Sequence, residues 1–274
     1  MNILLGIVVT VVATAVTTGV MLLVRRRAPE GSYFSDGDRA SGVFGVLATG
    51  FSVLLGFLIF LAFTSYDQAR SGAEDEATIV VQQVETAQFM PGDAGEELTA
   101  ELVCYARSVV GPEWEALDDG DLDHAINPWA VAMYQTLRTI EPKTNAEQST
   151  YDQWLEQTGD RQQARNDRIH GAEGILPTPL WLGLLAIAIV IFVYMLFFAD
   201  SSERAATQAM LMASVTVVIT VLLCLLVFFD HPHGDGVGKL HPTAMERSLH
   251  IMDAELDAAG LDLRVPCDER GTAI

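Results

Sequence analysis

Residues 41–89 constrain this chain more than any other stretch. Residues 42–64 (GVFGVLATGFSVLLGFLIFLAFT) form an apolar run without a charge. At the helical rise of about 1.5 Å per residue, such a run crosses the roughly 30 Å of hydrocarbon in a bilayer. The helical period continues where the polarity changes. From Ser65 the chain reads SYDQARSGAEDEATIVVQQVETAQF, yet Ala73, Ala77, Val80, Val84 and Ala87 recur at steps of four and three residues, the seam of a helix packed on neighbours. The spacing therefore predicts one continuous helix, half in lipid and half in water, on which the rest of an all-α chain assembles.

Composition narrows the class. Half of the residues are apolar and mean hydropathy is +0.28, while the formal net charge is −20. That pairing suits lipid-embedded segments joined to a strongly acidic water-facing part. An acidic surface repels phosphate, and no basic patch interleaved with aromatics is present, so nucleic acid is not expected as a partner.

Residues 1–24 make the first apolar span, followed directly by Arg25, Arg26 and Arg27. A cleaved signal peptide carries its positive charge before the apolar region, so this segment is expected to remain as an anchor. The positive-inside rule puts the arginines, and the Gly-, Ser- and Asp-rich loop 25–40, in the cytoplasm. Thr10, Thr14 and Thr17 share a face of this helix, where hydroxyls commonly bond their own i−4 carbonyls. Residues 41–64 then return outward as the second span. Residues 65–176 hold 22 acids against seven Lys and Arg, a balance that belongs on the non-cytoplasmic side. Residues 177–199 and 205–229 are the third and fourth spans, joined by a cytoplasmic hairpin at 200–204. Residues 230–274 form an outer tail. The expected protein is a multi-pass plasma-membrane protein with both termini outside and a helical bundle continuous with the second and third spans.

The acidic segment reads as helices. Asp93 and Glu96 have the spacing of a capping box, with Leu98, Leu102, Tyr105 and Val109 as an apolar stripe ended by Gly111 and Pro112. Asn127 and Pro128 mark a second start, with Trp129, Met133, Leu137 and Ile140 inward. Thr144 and Glu147 cap a further helix on which Tyr151, Leu155, Thr158, Gln162, Arg165 and Ile169 mark one face. With the extension of the second span these make a four-helix bundle. In the tail, Met245, Leu249, Met252 and Leu256 form an amphipathic helix closed by Gly260, fit either to dock on the bundle or to lie along headgroups.

Several groups of residues together resemble a known family. They are Ser65-Tyr66-Asp67-x-x-Arg70 followed by Glu76-Ala77, then Tyr105-Ala106-Arg107 through Glu113-Trp114 and Gly120. After these come Arg165 and Arg168 ahead of Leu176-Pro177-x-x-Leu180-Trp181, and Asp230-x-Pro232-x-Gly234. Taken as a set and in this order, they resemble the bacterial bestrophin-like membrane proteins. The resemblance implies an integral membrane protein with four spans, and the family label implies, by analogy, an anion channel.

No Gly-x-Ser-x-Gly elbow, His-Glu-x-x-His or Cys-x-x-Cys motif occurs, and Gly234, Gly236 and Gly238 do not fit a phosphate-binding loop. Neither an enzyme nor a cofactor is expected. His231, His233 and His241 beside Asp230 and Asp235 offer metal-ligand chemistry, against the plainer reading of a Pro- and Gly-built turn. The four spans carry no ionisable group except Cys and Tyr, which argues against a proton relay. Cys104 and Cys267 both fall in segments placed outside, where an oxidising environment permits a disulfide without requiring one.

Two functional classes follow. In the first, the chain is a homo-oligomeric ion channel. Gly42, Gly45, Thr49, Ser52 and Gly56 form a face of small residues on the second span, suited to close helix approach in lipid. That face either packs within one subunit or lines a central path, narrowed at Phe60 and Phe63 and opening past Asp67, Glu74, Asp75 and Glu76 as an acidic vestibule. Such a vestibule concentrates cations, where the family label suggests anions. In the second class the protein does not conduct, and its extracytoplasmic bundle binds a protein partner.

Overall fold

A computed structural model describes residues 3–120, 127–172, 174–234, 236–260 and 263–274. The elements are α1 (Ile3–Arg25), α2 (Gly37–Ala87), α3 (Ala94–Ser108), α4 (Trp114–Asp118), α5 (Trp129–Leu137), α6 (Asn145–Ile169), α7 (Thr178–Phe197), α8 (Ala205–Asp230) and α9 (Thr243–Ala259). Among the described residues there is no strand, only an isolated bridge between Cys267 and Ala273. Four helices, α1, α2, α7 and α8, are long and apolar enough to cross a membrane. The chain divides into two compact units, Met1–Ser65 with Gly174–His231, and Tyr66–Glu173 with Pro232–Ile274.

The α2 helix is unbroken over 51 residues, about 76 Å at the helical rise. It holds no proline, so nothing interrupts its hydrogen-bond ladder at the change from apolar to polar sequence. It begins at Gly37, earlier than the expected residue 41, and ends at Ala87.

In the first unit, the membrane half of α2 buries Phe51, Leu55, Leu58 and Ala62 against Leu184, Ala188 and Ile191 of α7 and Ile219 and Leu226 of α8. Helix α1 lies on α8. Thr10, Thr14 and Thr17 bond the carbonyls one turn back, and the Thr17 hydroxyl also meets that of Thr216 at 2.8 Å. The loop after α1 is docked. Arg25 donates to the carbonyls of Ser201 and Glu203, Tyr33 N donates to Phe197 O, and the Phe34 ring packs on Tyr194 and Phe198. At the start of α7, Asp230 Oδ1 accepts from the Ile175 and Leu176 amides at 2.9 and 3.0 Å, satisfying donors just before the helix.

The second unit has its own core. Ala77, Val80 and Val84 of α2 meet Leu98, Leu102 and Tyr105 of α3, Trp129 and Met133 of α5, Trp154 of α6, and Met245 and Met252 of α9. The tail helix therefore packs in this core, and Ser248 Oγ donates to Ala77 O at 2.8 Å.

Three expectations need correction. Asp93 makes no side-chain cap, being itself helical at φ −79°, ψ −7°. Gly111, at φ −95°, ψ −106°, is non-helical, so the chain kinks there and the helix that carries α3 ends at Gly111 and Pro112 as expected, with α4 starting beyond the kink. The bundle is continuous with the second span but not the third, because Gly171 and Gly174 at positive φ and an extended Pro177 break the chain between α6 and α7. On α6 the capping box at Thr144 and Glu147 is present, but the buried face is Trp154, Arg161, Ala164 and Arg168, with Leu155 exposed. The helix has too few apolar residues to carry a hydrophobic stripe, so arginines with waiting carboxylates fill the inward positions.

Candidate functional site

Along the membrane half of α2, Gly45, Thr49, Ser52, Gly56, Phe60 and Phe63 follow steps of three and four residues, and all are exposed in the single chain. A Cβ added at Gly42, Gly45 or Gly56 would meet nothing within 4 Å. The face is thus left open by its own subunit while the opposite face is packed. Only its margin is engaged: half-buried Ala48 and exposed Ser52 flank a groove of about 280 Å³ with Ile191 and Val215, and the Phe63 ring stands edge-on to Phe229 at 5.4 Å.

In the polar half of the same helix, Asp67, Glu74 and Asp75 are exposed. Arg70 Nε donates to Glu74 Oε1 at 3.2 Å, and Ser71 Oγ to Asp75 Oδ2 at 3.4 Å. Glu76 leaves the expected vestibule set. Its exposure is 0 %, because it lies on the inward face of the helix one residue before Ala77.

Glu76 instead belongs to a buried charge cluster. Arg168 Nε donates to Glu76 Oε2 at 2.5 Å, and Arg168 Nη2 to Glu113 Oε1 at 2.7 Å; all three side chains are at most 1 % exposed. Arg165 adds a second guanidinium to Glu113 at 2.9 Å, the Tyr105 hydroxyl donates to Glu76, and Asn127 Nδ2 donates to Glu113 Oε2 at 3.2 Å. Arg161 reaches Gln83 Oε1 at 2.8 Å and lies 4.6 Å from the centre of the Tyr105 ring. Burial alone would pull the Arg168 guanidinium down, but Glu76 and Glu113 lift it above its ordinary range. Burial, reinforced by Glu76, pushes the Tyr105 phenol up and keeps it neutral, so it donates rather than competes for the guanidinium.

Gly72 makes this arrangement possible. A Cβ there would lie 2.5 Å from Arg168 N and 2.6 Å from Ala164 O, so the backbones of α2 and α6 touch one helical turn before Glu76. That approach brings Arg168 within reach of the carboxylate.

Cys104 and Cys267 are joined by a disulfide with Cα atoms 5.8 Å apart, which holds the C-terminal tail on α3. Beside it Trp129 Nε1 donates to Gly271 O at 2.6 Å, and Gly271, at φ +77°, leaves no room for a Cβ against Ser108. Cys224 is a free thiol on α8. The histidines do not converge: His231 stands 3.5 Å from Asp230, His233 is buried edge-on to Trp114 with ring centres 5.6 Å apart, and His241 lines a separate cavity. Burial, with Arg168 and Lys239 nearby, lowers His233 to about 4. Asp235 lies outside the described residues, and among those described no group of three metal-ligating side chains forms.

A family model described as "Bestrophin-like domain" matches residues 11–242. A crystal structure of a bacterial bestrophin homologue from Klebsiella pneumoniae, a point variant, aligns at TM-score 0.66 with 13% identity, covering 90% of this chain and 99% of its own. A second variant aligns at 0.66 with 14% identity over 92% and 99%. A structure described as a membrane protein aligns at 0.67 with 14% identity over 95% and 99%. At such identity the likeness speaks for the fold. No curated protein sequence matches the chain significantly.

Proposed function

The chain belongs to the Bestrophin-like family, and on that premise we propose that it is a homo-oligomeric ion channel whose path is lined by α2. The observation that carries this reading is the open face of α2. Gly45, Thr49, Ser52 and Gly56 are small, at helical spacing, and exposed in the single subunit. Small residues support helix approach in lipid, where close packing rather than water exclusion drives association. A symmetric ring of such faces would enclose a path narrowed at Phe60 and Phe63. Counting on in the same register reaches Asp67, Ser71 and Glu74, so the mouth carries a ring of carboxylates that favours cations over anions. Glu76 takes no part, being neutralised inside the fold.

The membrane orientation belongs to the same proposal. Arg25 to Arg27 favour a cytoplasmic first loop, and the Cys104 to Cys267 bridge suits an oxidising outer compartment, and both support a plasma-membrane protein with its termini and acidic unit outside.

Purified protein in lipid vesicles should run as a homo-oligomer and pass monovalent cations faster than chloride. Neutralising Glu74 and Asp75 together should lower that preference, and Ser52→Leu or Gly56→Leu should abolish assembly or flux. A monomer without flux in native nanodiscs would overturn the reading and leave a non-conducting membrane protein. For orientation, single cysteines at Ser35 and Gln148, with Cys224 replaced and the disulfide kept, should react oppositely with an impermeant maleimide. Labelling of Ser35 from outside would invert the topology.

A further inference from the structure

The outer unit holds a cavity of about 350 Å³ whose charge runs against the rest of the molecule. Arg70 from α2, Lys239 from the segment before α9 and Arg247 from α9 line it, with His241 beside them and Glu74 as the single acid among the described residues. In a chain with 36 acids against 16 Lys and Arg, three fixed cations around one carboxylate is a local inversion. Thr243 and Ala244, the first residues of α9, also line the cavity, and no side chain caps that helix. Amides at an uncapped helix start add donors and positive potential on the same side as the arginines. Lys239 is 6 % exposed, and burial pulls its ammonium below the ordinary range. The Tyr66 hydroxyl donates to Gly238 O at 2.7 Å and holds the Lys239 segment against α2.

We propose that this cavity binds a phosphate group, held by Arg70, Lys239 and Arg247 together with the start of α9. Its volume is in the range of small-ligand sites, about 300 to 1,000 Å³. Tyr66 and Arg70 follow the last apolar residues of the α2 span within two turns, which puts the site at headgroup depth. The phosphate can therefore come from an anionic lipid or from solution. The site shares Glu74 with the proposed mouth, but binding there needs neither an oligomer nor the open α2 face.

The test uses the whole protein in nanodiscs of phosphatidylcholine alone or with phosphatidylglycerol, read by thermal melting and by 31P NMR. Melting should rise with phosphatidylglycerol, with added glycerol phosphate, or with both. A response to phosphatidylglycerol alone identifies the lipid headgroup, and a response to glycerol phosphate in phosphatidylcholine discs identifies a soluble ligand. Arg70 and Arg247 are exposed, so R70Q and R247Q should fold, and each should weaken binding about three- to five-fold, the scale of a partly screened ion pair. E74Q should strengthen it by a similar factor, because it removes a carboxylate from the lining and releases Arg70. Equal responses in wild type and all three variants, or no response of the wild type to either phosphate source, would overturn the proposal.

Discussion

The two halves of α2 bury opposite chemistries. The membrane half presents Phe51, Leu55, Leu58 and Ala62 to α7 and α8, and its open face has no polar atom beyond Thr49 and Ser52 hydroxyls that bond nothing outside their own helix or have no described partner. The polar half buries Glu76 and Gln83 among Ala77, Val80 and Val84. Lipid gives a helix no hydrophobic reason to choose a neighbour, so shape decides there. In water, apolar burial supplies the drive, and the buried ion pairs restrict which helix may sit against which. The two halves should therefore fail differently, one through size and the other through charge.

The largest expected effect comes from Arg168→Met, which strands Glu76 without a counter-charge, leaves Glu113 to Arg165 alone and should cost about 3 to 5 kcal/mol, read as denaturant melting by tryptophan fluorescence. Wild-type melting of that variant would break the comparison. Replacing Glu76 and Glu113 by Leu in the same background should restore much of the loss. Next, Cys104→Ser with Cys267→Ser should cost about 2 to 4 kcal/mol, with the tail becoming open to carboxypeptidase. Gly72→Ala should cost about 1 to 3 kcal/mol by forcing α2 from α6, whereas Gly45→Ala, with nothing within 4 Å, should leave the melting of a single subunit unchanged.

The smallest effect depends on pH. Glu101 is buried, accepts from Thr136 Oγ1 at 3.0 Å, and is pushed up from 4.5 to about 7, mainly by burial. The folded state then holds a proton that the unfolded chain releases, so this group's destabilisation is full above about 7 and fades as pH falls towards 4.5. Glu101→Gln should raise the melting temperature at pH 8 and change it little at pH 5; an equal gain at both would disprove the assignment.

Much of the fold was readable because apolar period survives in the sequence: the spans, the α2 extension, and the stripes on α3, α5 and α9 all follow it. The charge cluster was not, because a buried Arg looks like a surface Arg when only polarity is counted. On α6 the step from Arg161 to Ala164 to Arg168 is as helical as that of any leucine stripe, and Leu155 drew the expected face the wrong way. A signal did exist. Glu76, Tyr105, Glu113, Arg165 and Arg168, quoted for the family resemblance, are the residues that meet in the structure. Neither sequence nor a single subunit displays the partner of the open α2 face, since that partner is another copy under the proposed function.

The disulfide also changes the covalent topology of the molecule. Cys104 and Cys267, 163 residues apart, close a macrocycle that contains α7 and α8, so two of the apolar spans belong to a ring. A ring survives one cut as a single molecule. Trypsin acting at Lys143, exposed in the loop between α5 and α6, would open the ring without dividing the protein, which should run at full mass until a reductant separates the two pieces.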